Sequence, residues 1–268
     1  MISFDIEDLY NNIPIDDILN IVKTKLLQNN NIQITYKMHS LLKVILTQNY
    51  FMYQQKIYQL LQGISMGSPI SSLIAEIFLQ HYEDANIKLL DIKGIALYLR
   101  YVDDILVIYD TTKINLHTIN TYINKIHINI KLNPTYDEHN SIAFLDLTVT
   151  HRHTKLEVDI YRKPTTTDTT INFLSNHPIE QKMAAFRFHI TRMHSLPLNP
   201  DKKKTEWEII QSIAKNNNFL QHLLQKLNRQ ILHKFNNKKS SKNDKKVKYT
   251  KLRSRPATKL ISGRQFET

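Results

Sequence analysis

Alternation opens the chain. In ISFDIE, Ile2, Phe4 and Ile6 fall on one side and Ser3, Asp5 and Glu7 on the other, which predicts a half-buried strand with carboxylates on its open face. Asp16 and Asp17 then precede an apolar stripe at helical spacing (Ile18, Leu19, Ile21, Val22, Leu26, Leu27), with the acids where a helix start favours them. The Asn run at 29–31 breaks this helix. A second helix is predicted over 36–49, and YFMYQQKIYQL predicts a hairpin turning at Gln54 and Gln55. Beyond it, Ser68 and Pro69 suit an N-cap and first helical position. Ile70, Leu73, Ile74, Ile77, Phe78 and Tyr82 follow at helical spacing.

Two apolar runs, 96–102 and 105–110, flank Asp103 and Asp104, which predicts a β-hairpin with an acidic tip. A helix is expected over 115–127, then strands over 143–151 and 156–162. From about residue 179 the pattern turns helical, most clearly at Leu220, Leu223, Leu224, Leu227 and Ile231. Past Phe235 the periodicity stops at KKSSKNDKKVK, which predicts a solvated tail. Strands and helices in this order describe an α+β fold, an antiparallel sheet with helices grouped outside it.

Composition narrows the chemistry. With 268 residues, 41% of them hydrophobic, the chain can build a core. Cysteine is absent, which excludes disulfides, thiolate zinc sites and thiol nucleophiles. No apolar run is long enough for a membrane span and no signal pattern opens the chain, so an intracellular, non-secreted protein is expected, in nucleus or cytoplasm. The net charge of +12 is concentrated at one end: residues 233–268 hold 12 Lys and Arg against Asp244 and Glu267, leaving 24 basic and 22 acidic residues before them. Such an arm suits phosphate contact, although AT-biased coding also produces Lys/Asn tails.

Asp5 near a strand end and Asp103 with Asp104 at a hairpin tip are the candidate chemistry. Singly each is weak, because Asp favours turns for its own reasons. Side by side, two carboxylates ~4 Å apart repel by about 4 kcal/mol at an effective dielectric of 20, so the arrangement calls for a cation. Oxygen donors without His or Cys select Mg²⁺, with Mn²⁺ as a possible substitute. Two such ions can activate a hydroxyl and stabilise a departing pyrophosphate.

Three ordered motifs make the pattern specific. FDIEDLYNNIP resembles motif A of reverse transcriptases, QGISMGSPISS motif B and RYVDD motif C, while FLDLTVT, YRKPTTTD and FLSNHPIEQK resemble Penelope-like element reverse transcriptases in particular. The resemblance runs from residue 2 to about residue 230. It implies a right-hand polymerase palm over 1–163, a helical thumb or helix-turn-helix-like region over 164–235, and a disordered basic tail over 236–268. It also implies RNA-directed DNA polymerisation by two Mg²⁺ ions on an RNA template, with a DNA primer and dNTPs and no membrane.

Carried over residue by residue, the resemblance makes Asp5 and Asp103 the principal metal ligands. The backbone carbonyl of Ile6 assists, and Asp104 completes the cluster more loosely. Tyr10 matches the ring beneath the incoming sugar, a gate against the ribose 2′-hydroxyl. Gly63 and Gly67 would let the loop backbone approach nucleotide and template, with Gln62, Ser68 and Pro69 on the same loop. Arg162 and Lys163 suit primer or template phosphates or, equally, a solvated strand end. The segment FRFHITRMHS is expected to be a packed helix first and a binding surface second. Asp146 matches the family pattern without an evident role. His151 and His153 share a strand face but lack a third ligand, so no metal site is expected there.

Two departures from the family are visible. Residue 2 already lies inside the motif A strand, so the chain is expected to lack the fingers and to be a fragment, and apolar surface is expected to be exposed where fingers pack. No GIY-YIG pair appears before Thr268, so no such nuclease is expected. A catalytically inactive nucleic-acid-binding remnant is the alternative function, and a product that never folds stably is a third. Telomerase-like and intron-type enzymes are the runners-up within the polymerase class, disfavoured by the strings after RYVDD.

Overall fold

In the computed structural model of the chain, residues 1–28, 31–85, 94–152 and 155–240 are described. They form two compact units, dividing between Glu138 and His139.

The first unit begins with β1 (Ile2–Ile6), α1 (Leu9–Asn12), α2 (Ile15–Leu27), α3 (Ile32–Thr47), β2 (Tyr50–Tyr53), β3 (Lys56–Gln59) and α4 (Ser71–Ala85). It continues through β4 (Ile95–Tyr101), β5 (Asp104–Tyr109), α5 (Leu116–Ile123) and β6 (Leu132–Tyr136). Four of its strands make an antiparallel sheet in the order β4-β5-β1-β6, so the strand that opens the chain lies inside the sheet. Its alternation is the reason: Ile2, Phe4 and Ile6 are buried, and Asp5 is exposed between them. They pack with Ile105 and Val107 of β5, Ile74, Ala75 and Phe78 of α4, and Ile18, Leu19 and Ile21 of α2 into one core. Each side chain fully buried there contributes roughly 1.5–3 kcal/mol.

The β2–β3 hairpin turns at Gln54 and Gln55, both with positive φ, the two-residue geometry that matches strand twist. Its side chains, together with Ile32, Ile34, Tyr36, Met38, Leu41, Val44 and Ile45 of α3, leave many large apolar groups exposed.

Local pattern missed three features. The strand β6 went unpredicted because LNPTY carries Asn133 and Pro134; proline is tolerated here because β6 is an edge strand. The helix α4 starts at Ser71, leaving Ser68 and Pro69 in the turn before it, where Ser71 N–H donates to the Ser68 carbonyl and Ser71 Oγ to the Ser65 carbonyl at 2.5 Å. The run expected as one strand over 143–151 is instead a hairpin, turning at Leu145 and Asp146. Leu145 takes φ 55° there, a conformation its side chain does not advertise.

That hairpin belongs to the second unit, in which β7 (Ser141–Phe144), β8 (Leu147–Arg152) and β9 (Lys155–Ile160) form an antiparallel sheet in sequence order. Three helices follow, α6 (Ile179–Ser195), α7 (Pro200–Asn216) and α8 (Gln221–Ser240). Phe186, Ile190, Ile210, Ile213, Leu224 and Ile231 from the three helices meet in a separate core. Asn199 caps α7 by accepting from Lys202 N–H at 2.8 Å, ahead of Pro200. Asn217 ties the 168–173 segment to the end of α7: its side-chain amide donates to the Asp168 and Ile213 carbonyls, its Oδ1 accepts from Thr170 N–H, and its carbonyl accepts from Phe173 N–H. Helix α8 runs to Ser240, five residues past the point where apolar periodicity ends; the rest of the expected tail, and His153, lie outside the described residues. Among the described residues no helix is long and apolar enough to cross a membrane.

Candidate active site

The antiparallel ladder brings the acidic residues together. β1 and β5 pair with Asp5 directly opposite Asp104, and the Ile6 N–H donates to the Asp103 carbonyl at 3.2 Å. The same register sets Tyr101 of β4 opposite Asp104 and Asn133 of β6 opposite Asp5, so one row crosses all four strands as Tyr101, Asp104, Asp5, Asn133. Opposed residues in such a ladder share a face, with Cα atoms about 4.5–5.5 Å apart. That is the face opposite the core.

Electrostatics separates two carboxylates on this strand end. Glu7 binds Lys131 at 2.7 Å and Asn133 at 3.3 Å, and these hydrogen bonds hold its carboxyl below the usual range. Asp5 shifts the other way. Partial burial raises its carboxyl, and the charge of Asp103 raises it further. No described cation pairs with Asp5 or Asp103. Among the described residues no three His, Cys, Asp or Glu side chains converge tightly enough to enclose an ion by themselves. What the strand end gathers instead is an open acidic group: Asp103, whose charge reaches Asp5, and Asp104, opposite Asp5 in the ladder. It fits an ion that takes its remaining ligands from water and phosphate, as Mg²⁺ does.

The hairpin tip is strained. Only two residues, Val102 and Asp103, separate the paired Tyr101 and Asp104, and Val102 adopts φ 55°. A β-branched side chain is rarely found there. Arg100, which the sequence reading passed over, reaches the same tip: its Nη1 donates to the Val102 carbonyl at 3.1 Å. The signal available for it was a charge in an otherwise apolar strand, a position that demands a partner.

The loop before α4 packs against the segment after β1. Ile64 N–H donates to the Tyr10 carbonyl at 2.8 Å. Tyr10 lies in α1, partly buried against the core. The two loop glycines differ. Gly63 has φ 79°, and a Cβ there would stand 2.5 Å from the Asn11 carbonyl oxygen, so its glycine is required by a backbone contact within the protein. Gly67 has no positive φ and a Cβ would meet nothing within 4 Å, which leaves it open to an approaching ligand. Gln62 is exposed. Ser68 and Pro69 line a cavity of about 310 Å³ with Ile45, Leu46, Gln48, Ser65 and Ser71.

Arg162 and Lys163 lie in the second unit and differ in environment. Arg162 pairs at 2.5 Å with Glu206, which is only 5% exposed, so its charge is committed inside the fold. Lys163 is exposed. Asp146 gains a role: its carbonyl accepts from Tyr161 N–H and from Arg192 Nη2, and its carboxylate lies 3.8 Å from the same guanidinium, bracing the β7–β8 turn against α6.

A four-stranded antiparallel sheet presenting facing aspartates at a strand end and a hairpin tip, beside a glycine-bearing loop that leads into a helix, is the framework of a polymerase palm. The family description "Reverse transcriptase (RNA-dependent DNA polymerase)" matches residues 1–149, and the chain belongs to that family. Among solved structures it is similar to telomerase from Candida albicans in complex with a TWJ fragment of telomeric RNA, at 14% identity over 97% of this chain and 47% of that one, TM-score 0.56. Apo telomerase from Candida tropicalis also matches, at 14% identity over 86% of this chain and 44% of that one, TM-score 0.49. The chain thus spans less than half the length of these telomerase chains. No curated protein matches it.

Proposed function

We propose that this chain is the catalytic palm, with the following helical region, of a Penelope-like RNA-directed DNA polymerase that adds dNTPs to a primer 3′ end on an RNA template. The observation that carries the reading is the β1–β5 register, which sets Asp5 beside the Asp103–Asp104 tip in a reverse-transcriptase chain. The Penelope-like assignment rests on FLDLTVT, YRKPTTTD and FLSNHPIEQK, because a structural likeness at 14% identity speaks for fold alone.

In this reading Asp5 and Asp103 hold two Mg²⁺ ions, with Asp104 and the Ile6 carbonyl in support. Ions held there would supply activation of the primer hydroxyl and neutralisation of the departing pyrophosphate. The raised carboxyl of Asp5 fits the role: partial burial first and the charge of Asp103 second disfavour its ionised form, and a cation would relieve both. Tyr10 gates the sugar, Gly67 and Gln62 face nucleotide or template, and Ser68 and Pro69 shape the loop. Lys163 is the better of the two basic residues for a phosphate contact, because Arg162 already has Glu206.

Primer extension on an RNA template with Mg²⁺ tests this. Incorporation of dNTPs is expected, falling by at least ~10³-fold in Asp103→Asn, the scale of losing a principal electrostatic group. Equal incorporation by the variant would remove Asp103 from the site. Template binding without any incorporation by the wild type would favour the inactive, nucleic-acid-binding reading.

A further inference from the structure

Arg100 has a side chain only 6% exposed, and all five of its N–H donors are used. Its Nε and Nη2 bind the two carboxylate oxygens of Glu83 at 2.6 and 3.0 Å. Its Nη1 and Nη2 bind those of Glu76 at 2.8 and 3.1 Å, and the remaining Nη1 donor goes to the Val102 carbonyl at 3.1 Å. Glu76 and Glu83 are seven residues apart on α4, two turns along one face. Glu83 also accepts from Tyr98 Oη at 2.9 Å; burial pushes that phenol up to about 12, so it stays a donor at any physiological pH.

The position of the last bond matters most. The Val102 carbonyl belongs to the peptide entering Asp103, and the Asp103 carbonyl, in the peptide leaving it, accepts from Ile6 N–H. Both peptides flanking Asp103 are therefore anchored, one by a guanidinium fixed to α4 and one by β1. The first anchor also holds Val102 at a φ that a β-branched residue resists.

We propose that Arg100, clamped by Glu76 and Glu83, is a positioning residue that holds Val102 in its left-handed conformation and thereby aims the Asp103 carboxylate toward Asp5. Its meaning for catalysis rests on the polymerase reading, but the geometry is testable without it. Lysine keeps the charge but has three donors and no planar fork, so it cannot make both two-oxygen carboxylate pairs and the carbonyl bond together.

Hydrogen exchange on the full chain reads the outcome at two neighbouring amides: Ile6, bound to the tip, and Glu7, bound to the Lys131 carbonyl at 2.9 Å. In Arg100→Lys, Ile6 is expected to exchange about tenfold faster with Glu7 unchanged, as one charged hydrogen bond at the tip is lost. Adding Val102→Gly, for which the left-handed φ costs nothing, should return Ile6 protection most of the way. Should Arg100→Lys fail to fold, Glu76→Gln is expected to give the same contrast at reduced size. Ile6 unchanged, both amides accelerated equally in step with lost thermal stability, or no recovery on adding Val102→Gly would each overturn the proposal.

Discussion

The two units treat charge in opposite ways. In the second, the half-buried cations are answered at once: Arg162 by Glu206 at 2.5 Å and Arg192 by Asp146. In the first, Arg100 is answered just as fully, yet Asp5 is crowded by the charge of Asp103 with no described cation paired to either. A like-charged pair that raises the carboxyl of Asp5 costs stability at that place, which is where function is expected to sit.

The contrast can be broken from either side. The largest effect is expected at the loop of the first unit. Gly63→Ala sets a Cβ against the Asn11 backbone at a positive φ, and should cost about 3–4 kcal/mol by denaturant unfolding, from overpacking and left-handed strain together. Gly67→Ala should leave stability within ~1 kcal/mol of wild type while weakening template or nucleotide binding, measured by titration. Equal costs at both positions would erase the distinction between a glycine needed for packing and one kept open for a ligand.

In the second unit, Arg162→Ala strands a buried carboxylate and should cost about 2–3 kcal/mol, below the usual range for a buried pair because the arginine is a quarter exposed. If instead RNA affinity falls at unchanged stability, Arg162 is a phosphate contact and the pairing is incidental.

The smallest effect carries the opposite sign. The folded Asp5 carboxyl titrates above its usual value of 3.8, so ionising it costs stability as pH rises through the folded pKa. Asp5→Asn should therefore melt slightly higher than wild type at neutral pH. The gain should shrink as pH falls through the folded pKa and vanish below the ordinary value of 3.8, where Asp5 is protonated in the folded and the unfolded chain alike. A variant that melts lower at pH 7 would mean that Asp5 has a stabilising partner.

Much of this was legible where chemistry follows local pattern. Alternation in ISFDIE marked a strand with Asp5 on the open face, and two apolar runs around Asp103 and Asp104 marked the hairpin. Partnerships across the fold were not legible. Arg100 reads as an ordinary strand charge until Glu76 and Glu83 come over from α4, and Asp146 reads as one residue within a strand until the chain turns there and Arg192 arrives from α6. β6 stayed hidden because its stability comes from pairing with β1, against the propensities of Asn133 and Pro134.

The central claim is that Asp5 and Asp103 share a divalent ion, and paramagnetic broadening by substoichiometric Mn²⁺ tests it most directly. Amide signals of Asp5, Ile6, Asp103 and Asp104 should broaden first, compete away with excess Mg²⁺, and survive Mn²⁺ in Asp103→Asn. Broadening centred elsewhere, or unchanged by that substitution, would contradict the account.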